Sequence, residues 1–204
     1  MKTKISLKKY EDLYDAFDGG HDRKHLEEVR SFAIKLAKNY APNQLEIVYV
    51  AATLHDVGIS ISRANHELHG YKMISRDNEI KNAYSKEEFA EILEAIKEHR
   101  ASSGNPKSVV AKIISDADKC SFDGARGMER AYKWGCENLP SLNHDGQLLR
   151  AAYHLRLKFG DNGIGTRLYF EESKQQQSKA YIPVFKALET YDLKALNELL
   201  ESVE

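Results

Sequence analysis

The residues best suited to chemistry in this sequence are histidine and aspartate side chains that continue apolar helix patterns. Residues 51–58 form an apolar helical run that ends on His55 and Asp56 and is stopped by Gly58. An unpaired polar group on a buried face is costly, so this pair needs a compensating partner. Imidazole and carboxylate groups are good ligands for divalent metals. The end of this run therefore indicates a metal site.

Three more polar side chains extend the apolar faces of other predicted helices. They are His25, four residues before Val29; His99, three after Ile96; and Asp118, four after Ile114. Helical bundles build metal sites by projecting such side chains from several helices into one interior. Nitrogen and oxygen ligands without thiolate favour a divalent ion such as Mn, Fe, Co, Ni, Zn or Mg.

The His-Asp dipeptide alone carries little information, because it occurs three times. His21-Asp22 stands at a predicted helix start, where Asp22 can cap the helix, and His144-Asp145 falls in a polar loop. A single histidine on an apolar face is more often a satisfied core residue than a ligand. The prediction of a metal site rests on four helices that show the same departure from the apolar pattern.

Apolar residues at helical spacing predict the elements that must position these groups. Helices are expected over about 5–17, 22–39, 44–57, 66–76, 85–100, 107–119, 122–138 and 166–180, with an amphipathic segment ending near 200. Ser85 and Glu88 fit a capping box, Gly58 is expected to be a C-cap, and Pro183 should interrupt or bend the helix that starts near 166. No strand periodicity of useful length appears, which predicts an all-α fold, a single-domain helical bundle.

Composition argues against several classes of partner. The chain has 204 residues, of which 42% are hydrophobic and 30% charged, and its net charge is -1. This balance disfavours nucleic acid and anionic membranes as partners. No apolar run approaches the ~18 residues of a membrane helix. Cys120 and Cys136 form no CxxC pair, so we expect free thiols in a reducing compartment and a cytoplasmic location.

The order of these groups along the chain resembles a known family. His25, then His55-Asp56, then Asp118 resemble the H…HD…D pattern of the HD-domain superfamily of metal-dependent phosphohydrolases. Segments 20–29, 51–58 and 116–119 are similar to the opening, second and final motifs of that family. The resemblance spans roughly residues 20–134.

The resemblance implies a domain organisation and a ligand set. An N-terminal helical extension over 1–19 would precede an HD metal-binding core over 20–138, with C-terminal helices over 139–204 packing on that core. Asp116 competes with Asp118 for the last ligand position, but it lies on a different helix face from Val110 and Ile114. The implied ligands of the first metal are His25, His55, Asp56 and Asp118.

Some members of the family hold a second metal through later histidines. Residues 66–70 resemble the HxxxG form of that element through His66 and Gly70, and His99 resembles the next histidine. His66 and His99 are therefore candidates for second-site ligands or phosphate contacts, with His69 as the alternative to His66. The cations expected near a phosphate are Arg63, Arg100 and Lys119, although each could equally be a solvated surface charge. Asp22 and Glu67 could orient imidazole ligands.

These residues would suit hydrolysis of a phosphomonoester or phosphodiester by a metal-activated water. Asp56 would bridge two ions or orient the nucleophile, with one or two ions per chain. The expected partner is a small phosphorylated substrate, with a nucleotide as one candidate, and the amphipathic C-terminal helix could form a homodimer. Alternatives on the same fold are a metal- and nucleotide-binding sensor without hydrolytic activity and a di-iron oxygenase. A DNA-binding module fits the balanced charge least well.

Overall fold

The computed structural model describes residues 3–17, 21–121 and 124–203. Within these ranges the chain is all-α and contains no strand, which confirms the predicted fold class. Its helices are α1 Lys8–Glu11, α2 Arg23–Tyr40, α3 Leu45–Leu54, α4 His66–Ser75, α5 Asn78–Ala83, α6 Lys86–Glu98, α7 Val109–Cys120, α8 Gly124–Asn138, α9 His144–Phe159, α10 Glu171–Glu189 and α11 Leu193–Glu201. Residues 122–123, predicted to begin a helix, and residues 18–20, predicted to break one, lie outside the described ranges.

The chain divides into two compact units, residues 1–121 and 122–204. In the first unit α2 packs against α3 and α7, and α6 packs against α3, α4 and α7. Helix α3 is the central element, and seven of its ten residues are buried. A helix that is apolar on nearly every side belongs in a core. Because α3 ends inside the unit, the residues that follow it project into the interior.

The end of α3 differs from the prediction. The helix stops at Leu54, and Val57–Ser60 form a 3-10 turn that contains Gly58. No glycine among the described residues has a positive φ, so the expectation that Gly58 is a left-handed C-cap is wrong. The physical reason for a glycine here is the close approach of another backbone, described below.

Side-chain caps fix where the site-bearing helices begin. Asp22 accepts a hydrogen bond from the backbone N–H of His25 at 2.9 Å, and Ser108 caps α7. The predicted capping box of Ser85 and Glu88 is present in both directions. Such caps satisfy backbone donors that have no partner within the helix.

The second unit has its own core, built from α8 to α11. Phe159 and Tyr181 stack in that core with ring centroids 4.2 Å apart. The amphipathic face of α11 packs into the same core through the fully buried Leu196. Homodimer formation through this helix therefore stays a prediction.

Two helix predictions were wrong, and a third was wrong in part, since the interruption expected at Pro183 is absent while a bend there stays a prediction. His144-Asp145 begins α9 instead of lying in a loop, with Asn143 as its N-cap. Asp77 caps the short helix α5 where only a turn was expected. Helix α10 continues through Pro183, which is exposed, as is the position four residues earlier. Water can therefore hydrate the carbonyl that loses its N–H partner.

Two further findings concern the whole described chain. Cys120 is buried and Cys136 is exposed, and neither forms a disulfide. Among the described residues, no helix combines the length and the apolar character needed to cross a membrane.

Candidate metal centre

Six histidine and aspartate side chains converge inside the first unit. They come from or directly follow five different helices and form two groups, one of His25, His55 and Asp118, the other of Asp56, His66 and His99. Within each group the candidate ligand atoms all lie within 4.8 Å of one another. Residues separated by up to 93 positions thus meet at one point of the core.

The first group is the more buried. His25 Nε2 lies 3.3 Å from His55 Nε2 and 3.4 Å from Asp118 Oδ1. Both histidines are at most 1% exposed, whereas the Asp118 side chain is 26% exposed. Asp118 therefore lies at the edge of the cluster that reaches solvent. Asp116 is fully buried, and its Oδ1 lies 3.7 Å from Lys119 Nζ.

The second group is arranged around Asp56. His66 Nε2 and His99 Nε2 lie 3.0 Å apart, at 3.2 and 3.4 Å from Asp56 Oδ1. The other oxygen, Asp56 Oδ2, lies 3.2 Å from His55 Nε2 and 3.5 Å from His25 Nε2. One carboxylate therefore presents one oxygen to each group of ligands.

The second nitrogen of each imidazole is held by an oxygen outside the cluster. The Nδ1 contacts are His55 to Ala52 O at 2.8 Å, His99 to Ile96 O at 2.7 Å, His66 to Arg63 O at 3.1 Å and His25 to Ser121 Oγ at 3.2 Å. A carbonyl can only accept, so when these rings are neutral, as metal ligands must be, the three that face carbonyls carry their proton on Nδ1. Their Nε2 lone pairs then point into the cluster, which is the orientation of a metal ligand.

The electrostatics of the cluster also favour a bound cation. Burial opposes ionisation of Asp56, but His55, His25 and His66 outweigh it and hold the pKa of this carboxyl well below its usual range. Burial also opposes ionisation of Asp118, but His25 and His55 outweigh it and lower the pKa of this carboxyl. Asp56 Oδ2 is buried and accepts no hydrogen bond from any described residue. An ionised, buried carboxylate oxygen surrounded by imidazole nitrogens fits a divalent metal.

We expect metal binding to release a proton from His25. Burial lowers the pKa of His25, but Asp118 and Asp56 outweigh this and raise it to about 9, so the ring is protonated near neutral pH in the metal-free protein. A ligand imidazole must be neutral, so affinity should rise with pH up to about 9. By the same linkage, this raised pKa stabilises the metal-free fold below the ordinary histidine pKa, and the contribution disappears as pH rises through about 9.

Calorimetric titration in buffers of different ionisation enthalpy measures the released protons directly. His154→Ala, which removes a histidine on α9, should leave the release unchanged. Binding with the same affinity at every pH between about 7 and 9, and without proton release, would contradict this charge state of His25.

The predicted cations occupy different surroundings. Arg100 Nη1 lies 3.3 Å from each carboxylate oxygen of the buried Glu67, whose Oε2 is 3.7 Å from His66 Nδ1. Lys119 is 6% exposed beside Asp116. Arg63 is exposed, and its carbonyl is the group that orients His66.

Of the two alternative histidines on α4, His66 and His69, the structure places His66 in the cluster.

Two aromatic residues that the sequence did not point to contact the site. The fully buried Tyr14 hydroxyl donates to Thr53 O at 2.9 Å and accepts from the Asp56 N–H at 3.3 Å. Burial, and then the Asp56 carboxylate, raise the pKa of Tyr14 well above its ordinary value, so the hydroxyl stays protonated.

The His21 ring lies 5.8 Å from the His25 ring and 6.5 Å from the His66 ring, measured between centroids. His21 follows a segment that lacks helix periodicity, and only its place in a His-Asp dipeptide could have marked it.

Gly58 allows α4 to approach the turn that carries Asp56. A Cβ atom at this position would lie 2.0 Å from His66 O and 2.4 Å from Gly70 N, both backbone atoms. Because His66 starts α4, an alanine here would push this ligand away from its group. Gly58→Ala should therefore weaken metal binding at the second group and destabilise the fold by about 1–3 kcal/mol.

Metal titration and thermal unfolding of this variant test the close approach. Gly146→Ala is the matched control, since a Cβ there would meet only side-chain atoms, at 3.1 Å or more. Normal binding at both groups in Gly58→Ala would show that the packing of α4 on the turn does not set the position of His66.

Comparisons with known proteins identify the family and the fold. The family model of the HD domain matches residues 23–123, and the chain belongs to the HD-domain family. A predicted HD superfamily hydrolase from an uncultured Thermotogales bacterium has a similar crystal structure, with TM-score 0.59 and 19% identity over 92% of both chains. Bacillus subtilis YpgQ, solved in complex with ADP, has TM-score 0.62 and 16% identity over 93% of this chain and 97% of that one. No curated protein sequence matches the chain.

Proposed function

We propose that this chain is a metal-dependent hydrolase that cleaves a phosphomonoester or phosphodiester. The observation that carries the proposal is Asp56, which presents Oδ1 to His66 and His99 and Oδ2 to His55 and His25. A carboxylate shared between two ligand groups is suited to a pair of divalent ions. The fold similarity to a predicted HD superfamily hydrolase supports hydrolysis as the reaction.

The residues of the first group would hold one ion, and those of the second group another. Divalent ions there would supply Lewis acidity, which lowers the pKa of water and offsets charge on phosphoryl oxygens. Asp56 keeps both groups at a fixed separation. The backbone carbonyls behind His55, His66 and His99 hold these rings in the ligating tautomer, so little reorganisation is needed during the reaction.

Three cations would serve the phosphate. Arg100 is placed beside the second group through Glu67, which also lies next to His66. Arg63 lies on the solvent side of the same group, in the loop before α4. Lys119 neighbours Asp118 in the sequence and is held by Asp116. Guanidinium groups recognise phosphate oxygens through paired N–H donors, which makes Arg100 the leading candidate.

A nucleotide is our proposed substrate class. Bacillus subtilis YpgQ, a relative in fold, was solved in complex with ADP. The Asp118 side chain is partly exposed and Arg63 is exposed, so the cluster is accessible from solvent on these two sides. We retain the cytoplasm as the proposed location.

A panel assay tests the proposal. The purified protein is loaded separately with Mn, Fe, Co, Ni, Zn or Mg and incubated with p-nitrophenyl phosphate, bis-p-nitrophenyl phosphate and mono-, di- and cyclic nucleotides. We expect phosphate or nitrophenolate release that requires metal. Tight nucleotide binding without turnover under any metal would identify a sensor instead, and oxygen-dependent turnover with iron would identify an oxygenase.

A further inference from the structure

The N-terminal segment reaches the candidate metal centre through one hydroxyl. Tyr14 lies in the 3-10 turn Asp12–Ala16 and is completely buried. Its hydroxyl donates to Thr53 O at 2.9 Å and accepts from the N–H of Asp56 at 3.3 Å. These two backbone groups lie on either side of His55. One side chain, 42 residues away in the sequence, therefore spans the turn that carries two of the proposed ligands.

The backbone at this turn needs such a partner. Helix α3 ends at Leu54, so the carbonyl of Thr53 is among the last four, which have no N–H partner within the helix. The N–H of Asp56 follows the helix end in a turn of different geometry. Both groups are buried, and buried backbone groups are almost always paired. The Tyr14 hydroxyl satisfies both at once, because a hydroxyl donates and accepts.

A second chain of contacts holds the same region from the side. Arg30 donates to Thr53 Oγ1 from Nε at 2.9 Å and from Nη2 at 2.7 Å. The Thr53 hydroxyl donates to Tyr49 O at 2.8 Å. Arg30 also forms an ion pair with Glu11, which is the last residue of α1. The N-terminal segment is thus attached to the end of α3 at two points, through Tyr14 and through Glu11.

We infer that Tyr14 is a positioning residue for the metal centre, and that the N-terminal segment, through Tyr14, helps to hold the proposed ligands in place. This inference rests on the proposed metal-dependent function and adds a residue to it. The orientation of the Asp56 carboxylate depends on the peptide group before it, which the Tyr14 hydroxyl holds. Because Asp56 serves both ligand groups, a change in this peptide group alters both.

The test removes only the hydroxyl. Tyr14→Phe keeps the ring and its packing, while Tyr10→Phe removes another buried hydroxyl of the same segment, one that bonds to the α5 cap Asp77. Co²⁺ is titrated into the metal-free wild type and both variants, with its visible absorption as the readout of affinity and coordination geometry. We expect Tyr14→Phe to weaken binding by roughly ten- to a hundredfold and to shift the absorption bands, as loss of a group that orients metal ligands does elsewhere. Tyr10→Phe should lower thermal stability without changing the spectrum.

The outcomes separate this inference from the proposed function. Wild type that binds no Co²⁺ would overturn the metal site and this inference together. Equal affinity and an equal spectrum in Tyr14→Phe and wild type would overturn the role of Tyr14 alone. If Tyr14→Phe fails to fold, amide exchange in the metal-free wild type decides, since the Asp56 N–H should then be as protected as the core of α3. Exchange of this amide at the rate of an exposed loop would contradict the inference.

Discussion

Replacing Asp56 by asparagine should empty both metal positions and abolish hydrolysis. Asparagine has the same shape, but its amide has lost the negative charge and one of the two acceptor oxygens. The remaining oxygen can face only one ligand group, whereas Asp56 faces the first with Oδ2 and the second with Oδ1. We expect the affinity for metal to fall by at least about tenfold, a lower bound set by losses seen when a group that only orients ligands is removed, and the metal content measured by elemental analysis to fall with it. Phosphoesterase activity should fall below detection.

The control for this variant is Asp116→Asn. Asp116 is also a fully buried aspartate of the first unit, but its carboxylate lies beside Lys119. This variant should lose stability, because it removes the buried negative charge that lies 3.7 Å from the Lys119 ammonium, and should keep its metal. Full metal occupancy in Asp56→Asn, or equal metal loss in both variants, would refute the bridging role of Asp56.

Replacing His66 by alanine should separate activity from the binding of the first metal. His66 lies in the second group, 3.2 Å from Asp56 Oδ1, whereas the first group is formed by His25, His55 and Asp118. The first metal should therefore remain bound. Hydrolysis should fall by at least about a hundredfold, because the second position no longer helps to offset charge on the phosphate. His99→Ala should behave in the same way.

His69→Ala is the matched control for this experiment. His69 lies on the same helix, three residues after His66, and is likewise half-buried. Metal content and the rate of phosphate release are measured side by side for both variants. A normal rate in His66→Ala, or an equal loss of rate in His69→Ala, would show that the second group does not take part in the reaction.

Five of the six candidate ligands could be found in the sequence because each breaks a local rule, whereas His66 was indicated by the family resemblance. His25, His99 and Asp118 each continue an apolar stripe, and helix geometry alone then places them on a buried face. The cap at Asp22 and the capping box at Ser85 are local signals of the same kind. Local periodicity was therefore sufficient for the fold class and for directing these three residues toward the cluster, but not for Asp116, which is fully buried although its position lies off the apolar stripe.

The arrangement of these residues could not be found in the same way. The division of Asp56 between two groups depends on how α4 and α6 approach the end of α3, which no local pattern encodes. The sequence predicts Gly58 as a helix cap, whereas in the structure its lack of a side chain makes room for the backbone of His66. Tyr14 was missed because its partners are 39 and 42 residues away. By contrast, helix α9 could have been predicted from the helical spacing of its apolar residues Leu148, Ala151, Ala152 and Leu155. Its first turn is polar, which made the start of the helix resemble a loop.

The most direct measurement of the central claim is a crystal structure of the metal-loaded protein with anomalous data collected at the absorption edge of the bound metal. We predict two anomalous peaks about 3.5–4 Å apart, one beside His25, His55 and Asp118, the other beside His66 and His99, with Asp56 contacting both ions. No peak at this cluster, or a single ion at full occupancy that Asp56 does not touch, would contradict the account.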